Sequence, residues 1–290
     1  MDIEIKKKCV YEFDTDQNGF PTFTKKNLEF LNAILHYDSP YSVFSDEMTS
    51  EYRDSYAGIF ESEDFFDFPA SESLDECDEL GNPVDDLYRA IVSLDTLNST
   101  HLSSEGKGGG NKGRAKVAAK IREYGGKNLK NALEKGDIEI VGMIADRNVG
   151  GKHNFSFASK FCAYASLHAL KKDNYCIYDE ILQSILPYYA WMYVDDPKID
   201  CTILYKRVTG KTTRNESLVY QYKEKGDYKA YRELIDAIIA GIKNKIGVEI
   251  SYADFDHMLW YYFKGSKSKI LGAMECLPYR EVARRKRKSS

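Results

Sequence analysis

Lys160 and Asp179 are the residues of this chain whose types and spacing suggest chemistry. Lys160 stands in NFSFASKFCAYASLHALKKDNYCIYD, residues 154–179, inside an otherwise apolar and aromatic helical face. Asp179 follows nineteen positions on, at the start of a second helix. An amine attacks carbon only in its neutral form. Partial burial beside Phe157 and Phe161 disfavours the ammonium, and so does a place in the first turn of a helix, near its positive end. A carboxylate returned to face that amine supplies an electrostatic partner, the arrangement expected of a lysine nucleophile. The plainer alternative is a solvated lysine and an aspartate that only caps a helix.

The elements that must position this pair follow from periodicity. Phe157, Phe161, Tyr164, Leu167 and His168 recur at three- and four-residue steps, which predicts a helix over 155–170. Ser156 is its expected N-cap, with Asn154 as competitor. Lys171 to Asn174 read as a polar connection and Tyr175 to Tyr178 as a short apolar entry. Asp179 falls where an N-cap belongs, ahead of a helix from Glu180 to about Tyr193. Two antiparallel helices with a short connection bring Asp179 back towards the start of the first.

The segment resembles the catalytic portion of the helix-hairpin-helix DNA glycosylases, especially their 8-oxoguanine glycosylase-like branch. Ser156, Phe157, Ser159 and Lys160 match a serine-phenylalanine-x-serine-lysine opening, and Ile177, Tyr178 and Asp179 match its second element. DFDHMLWYYFKG, Asp254 to Gly265, is similar to a later motif of such proteins. The chain departs from the family where a glycine-rich hairpin precedes the lysine: it has Asn148-Val149-Gly150-Gly151-Lys152-His153 instead. The resemblance implies a helical bundle acting on double-stranded DNA without cofactor or metal. It gives Lys160 the attack on C1′ of an extruded nucleotide, and Asp179 the stabilisation of the oxocarbenium-like charge. Strand cleavage by β-elimination would accompany base removal. Gly150, Gly151, Lys152, His153, Ser156 and Ser159 become candidate DNA contacts. Phe157, Tyr178, Trp191 and Trp260 become candidate walls of a base pocket, with Tyr188 and Tyr261 further candidates for stacking. The alternative function is a non-catalytic DNA-binding or phage-defence-associated protein that keeps the fold without the chemistry.

Composition bounds the rest. A chain of 290 residues, 43% hydrophobic and 30% charged, fits one large domain or one with an appendage. No apolar run approaches eighteen residues and the N-terminus lacks a signal-like apolar stretch, so a cytoplasmic protein without membrane span is expected. Six cysteines without a C-x-x-C pair argue against zinc-ribbon and iron–sulfur sites. The net charge of −4 hides an asymmetry: fifteen carboxylates against Arg53 alone between Ser45 and Asp86, but nineteen Lys or Arg against ten Asp or Glu from Cys201 onward. A basic face for nucleic acid is therefore compatible with the acidic total. The acidic stretch reads as a solvated loop, or as a shield for that face when DNA is absent.

The expected fold is mainly α, a glycosylase-like helical bundle with a small N-terminal β-hairpin. Its expected divisions are residues 1–84 (hairpin, short helix and acidic loop), 85–280 (helical domain) and 281–290 (basic tail). The hairpin would pair residues 2–13 with GFPTFT across Asn18-Gly19. DTDQNG mimics half of an EF-hand loop, but Lys25 holds the twelfth position and a turn is the better reading. A helix over 24–36 is capped at Thr24, and another starts near Val84-Asp85. Residues 105–116, EGKGGGNKGRAK, lack the Lys-Ser/Thr of a phosphate loop and read as a flexible basic loop whose Lys112 and Arg114 could meet DNA phosphate. Two short helices then break at Gly125-Gly126, and DIEIVGMIADR is ambiguous between helix and strand. Residues 193–220 read as irregular, and helices follow over about 229–246 and 252–263.

Overall fold

The computed structural model describes residues 13–35, 59–62, 64–68, 85–97, 102, 112–146, 154–195, 203–208, 211–216, 218–263, 266–277 and 279–281. The chain is mainly helical and forms two compact units. The first comprises residues 1–11, 33–178 and 226–229, the second 12–32, 179–225 and 230–290. The units part between Tyr178 and Asp179, so they do not follow the sequence-based division at residue 85.

The first unit contains helices α2 (Asp86–Leu97), α3 (Lys112–Tyr124), α4 (Gly126–Lys135), α5 (Glu139–Ala145) and α6 (Phe155–Tyr164); α5 and α2 pack on α6, and α3 packs on α2, α4 and α5. The helix over 139–145 resolves the ambiguity of DIEIVGMIADR. The core holds the apolar stripe of each helix: Leu87, Ile91 and Leu94 on α2, Val117 and Ile121 on α3, Leu129 and Leu133 on α4, and Ile140 and Ile144 on α5. Helix α3 begins at Lys112, so Lys112 to Lys116, expected as loop, are helical; residues 103–111 lie outside the described residues. Asp85 accepts the Tyr88 amide at the start of α2 and pairs with the buried Arg122 of α3, whose guanidinium burial pushes down in pKa. Beyond α6 the helix widens into one π turn, Ala165–Ala169. Wider turns of this kind interrupt an α-helix without ending it.

The second unit contains most of α1 (Lys25–Leu35), α7 (Glu180–Tyr193), strands β1 (Ile203–Val208) and β2 (Lys211–Glu216), α8 (Leu218–Lys225), most of α9 (Tyr228–Ile246), α10 (Tyr252–Phe263), α11 (Lys267–Glu275) and β3 (Tyr279–Glu281). The strands form a sheet in the order β2-β1-β3, antiparallel on one side and parallel on the other. Residues 203–208 and 211–216, read from sequence as irregular, are thus two antiparallel strands. Phe23 stacks on Phe255 at 5.3 Å, and Ile185, Tyr189, Ile235, Ile238 and Leu259 fill the same core.

The N-terminal hairpin is corrected. Residues 1–12 lie outside the described ones, and from Phe13 to Phe23 there is one isolated bridge, Thr15 to Pro21, with no strand. Side chains rather than a ladder hold this loop. Asn27 of α1 donates to the carbonyls of Asp14 and Thr22 at 2.8 and 2.7 Å, and accepts the Asp14 amide at 2.9 Å. Asp16 accepts the amides of Asn18 and Phe20, and Gly19 takes a φ of 82° that a side chain would resist. Asp16, a nominal calcium ligand of the sequence pattern, therefore caps its own turn. Thr24 caps α1 as expected, accepting the Asn27 amide at 3.2 Å.

Candidate functional site

The lysine helix starts at Phe155, with Asn154 as N-cap, and not after Ser156. The Ala158 amide bonds the Asn154 carbonyl at 2.9 Å, which already belongs to the helical ladder. Ser156 is therefore an internal residue. Lys160 becomes the sixth residue, in the second turn rather than the first, where the helix dipole acts more weakly. Phe157, Ala158, Phe161 and Cys162 are fully buried and Lys160 itself is 7% exposed. Phe157 stacks on Phe161 at 6.0 Å. Burial pushes the Cys162 thiol up, so it stays protonated.

Asp179 is the N-cap of α7, as the sequence predicts. It is extended (φ −143°), and its Oδ1 accepts the Leu182 amide at 2.7 Å. At 8% exposure it is a buried carboxylate. Lys160 belongs to the first unit and Asp179 to the second.

The chain from Asn174 to Tyr178 belongs to no helix or strand and is buried over its last four residues, where side chains take up several of its polar groups. Asn174 donates to the Leu133 carbonyl at 2.9 Å and the Glu134 carbonyl at 3.2 Å, at the end of α4. The Tyr175 hydroxyl reaches the Asp137 carbonyl at 3.0 Å. Tyr228 accepts the Cys176 amide at 3.0 Å and donates to the Cys176 carbonyl at 2.9 Å. Ser159, one residue before the lysine, accepts the Tyr178 amide at 3.0 Å. Tyr178 packs edge-on against Phe155 at 5.0 Å.

The other sequence candidates fall in different places. Gly150, Gly151, Lys152 and His153 lie outside the described residues. Lys112 opens α3. Arg114, expected at a phosphate, donates to Asp95 at 2.8 Å and Thr96 at 3.2 Å; its carboxylate partner is 1% exposed. Phe157 and Tyr178 are sealed in the first unit. Trp191 is 40% exposed beside Tyr188, and Trp260 is half-buried.

Asp256 on α10 is a buried carboxylate, 7% exposed, that the site assignment did not single out. In the same motif Asp254 accepts the Ser251 amide and hydroxyl at 3.0 and 2.8 Å and receives Ser251's reciprocal cap. The signal was the step of two between the acids: only one can cap, and the other turns elsewhere on the helix. Among the described residues no group of His, Cys, Asp and Glu could hold a metal ion, and no helix is long and apolar enough to cross a membrane.

Against known proteins, a family model described as an N-terminal domain, HI_0787_N, matches residues 65–171. The matched stretch includes Lys160 and stops short of Asp179. No curated protein matches. No solved structure matches.

Proposed function

We propose that this chain is a DNA glycosylase with β-elimination activity, in which Lys160 is the nucleophile and Asp179 the charge-stabilising carboxylate. The observation that carries the reading is a lysine 7% exposed in a helix that also buries Phe157 and Phe161. A lysine held away from water is a candidate amine nucleophile. Asp179, 8% exposed and capping its own helix through the Leu182 amide, supplies the carboxylate of the reading.

In the proposed reaction the target nucleotide leaves the stack and the Lys160 Nζ lone pair attacks its C1′. The C1′–N bond breaks, and its electrons leave with the base, which takes up a proton. Asp179 offsets the positive charge that develops on the sugar and the attacking amine. Loss of the amine proton and ring opening give an imine. Removal of a C2′ proton then expels the 3′ phosphate.

The test is trapping. The protein is incubated with duplexes that each carry one oxidised or modified base, oxidised purines first, and borohydride is added. Borohydride reduces the imine to a stable secondary amine, which links protein to DNA. Wild type and Lys152→Ala should give the adduct and Lys160→Ala should not. No adduct with wild type on any modified base would instead favour a non-catalytic DNA-binding protein.

A further inference from the structure

Helices α3 and α4 meet at one residue, Gly125, whose φ of 87° suits glycine and turns the chain between them. The Asn128 side chain, in the first turn of α4, donates to the Tyr124 carbonyl at the end of α3 at 2.9 Å and ties this corner. Val117, Ala118 and Ile121 bury one side of α3, and Leu129, Ala132 and Leu133 bury one side of α4. The other sides meet water. On α3, Lys116, Lys120 and Tyr124 follow at steps of four and share one stripe. On α4, Lys127, Lys130 and Asn131 share a stripe that starts beside the corner. Lys116, Tyr124, Lys127, Asn128, Lys130 and Asn131 are all exposed.

Acids are present along this stretch, but they do not neutralise three of the lysines. Glu123 pairs with Lys120 at 2.9 Å. Glu134 is half-buried, and Asp137 and Glu139 lie past the left-handed turn at Gly136, where Asp137 accepts the Glu139 amide at 3.0 Å. Among the described residues, Lys116, Lys127 and Lys130 form no ion pair. Helix electrostatics do not account for them either. Lys135, in the last turn of α4, suits the negative end of the helix, whereas Lys127 lies in the first turn, near the positive end that disfavours a cation. Lys130, three residues on, adds like-charge repulsion. An anionic partner on the exposed stripes offsets both penalties.

We propose that the α3–α4 corner is a docking surface for duplex DNA, holding backbone phosphates through Lys116, Lys127 and Lys130, with the Tyr124 hydroxyl and the Asn131 amide as neutral donors beside them. Charge complementarity selects a polyanion. The choice of DNA rests on the base-excision reading, and the corner lies in the same compact unit as Lys160.

The experiment measures binding of full-length protein to a short unmodified duplex over a series of KCl concentrations. Combined Lys116→Gln, Lys127→Gln and Lys130→Gln should weaken binding at least about tenfold and reduce the slope of log K against log salt by about 2 to 3, near 0.9 per lost phosphate contact. The charge-retaining set Lys116→Arg, Lys127→Arg and Lys130→Arg should keep both. Combined Lys25→Gln, Lys225→Gln and Lys267→Gln removes the same charge from exposed positions of the second unit and should leave the slope near wild type. Should the first set fail to fold, Lys127→Gln alone carries the test, at about one unit of slope. Unchanged affinity and slope overturn the proposal, as does an equal loss in the second-unit set or wild-type preference for anionic phosphatidylserine vesicles over duplex. Borohydride trapping on the same proteins separates the two readings. Wild type that binds duplex through the corner yet never traps a modified base sinks the excision chemistry and leaves the docking surface standing.

Discussion

The Ser159 hydroxyl accepts the Tyr178 amide at 3.0 Å and donates to the Ser156 carbonyl at 3.1 Å. The residues that precede Lys160 and Asp179 in the chain are thus bonded directly, within the first unit, and both are sealed from water. Ser159→Ala removes the acceptor and strands a buried N–H, which costs about 1–3 kcal/mol. Urea unfolding should show the loss as a lower midpoint at unchanged slope. A midpoint equal to wild type would mean that the bond contributes nothing.

Asp179 has two separable properties, a cap and a charge. Its Oδ1 accepts the Leu182 amide at 2.7 Å, a bond that an asparagine oxygen can replace. Asp179→Asn should therefore hold stability within about 0.5 kcal/mol, because Asn and Asp cap equally well. Under the excision reading it should cut borohydride trapping at least about tenfold through the lost charge. Full trapping by this variant would reduce Asp179 to a helix cap.

Arg114 was expected at DNA, but the structure bonds it to Asp95, which also accepts the Leu102 amide at 2.7 Å. Removing the arginine leaves a carboxylate that is 1% exposed without its ion-pair partner. Arg114→Ala should cost about 3–5 kcal/mol, the range for breaking a buried pair. The double variant Arg114→Met with Asp95→Leu should recover part of it. Arg114→Ala thus acts on stability, and its duplex affinity at low temperature, where it is folded, should match wild type.

What the sequence made legible follows from how strongly periodicity was enforced. The helices Glu180–Tyr193 and Tyr252–Phe263 have the bounds read from sequence, since one face of each must enter a core. The pairing of 203–208 with 211–216 was not legible. Lys206, Arg207, Lys211 and Arg214 leave no apolar alternation, so it comes from the backbone ladder and the parallel strand beside it. The start of α3 was hidden by Gly113, which reads as a breaker. A Cβ there would lie 2.0 Å from the Leu102 carbonyl oxygen, so the glycine serves a close approach inside a helix. At the candidate site, the burial of Lys160 was foretold by Phe157 and Phe161. The partner of Arg114 lies nineteen residues away on another helix, and no local pattern encodes it.

Two glycines of the first unit should respond oppositely to the same change. At Gly126 an added Cβ would lie 1.9 Å from the Phe66 carbonyl oxygen, a backbone atom that cannot swing aside. Gly126→Ala should cost about 3 kcal/mol, as overpacking does. At Gly142, an exposed position of α5, nothing lies within 4 Å, and alanine should stabilise by about 0.5–1 kcal/mol through helix propensity. Thermal melts of both variants decide the matter, and a shift of the same sign in each would contradict the packing.

Helix α7 makes the protein sensitive to alkali. Burial, with a smaller contribution from Asp16, pushes the Tyr193 phenol up to about 12. Burial also holds Tyr189 well above its ordinary value and raises Tyr188, whose hydroxyl donates to Asp16 at 2.6 Å. Each folded-state value lies above the unfolded one of about 10, so the unfolded chain loses protons that the folded chain keeps. The stabilisation is complete below about pH 10 and disappears as pH climbs towards the folded values. Urea midpoints should hold level up to about pH 9 and then fall. Tyr193→Phe should flatten the portion of that fall between about pH 10 and pH 12, since phenylalanine has no proton to lose. A midpoint that stays constant across this range, or a Tyr193→Phe variant that falls as steeply as wild type, would show that the helix does not bury these phenols.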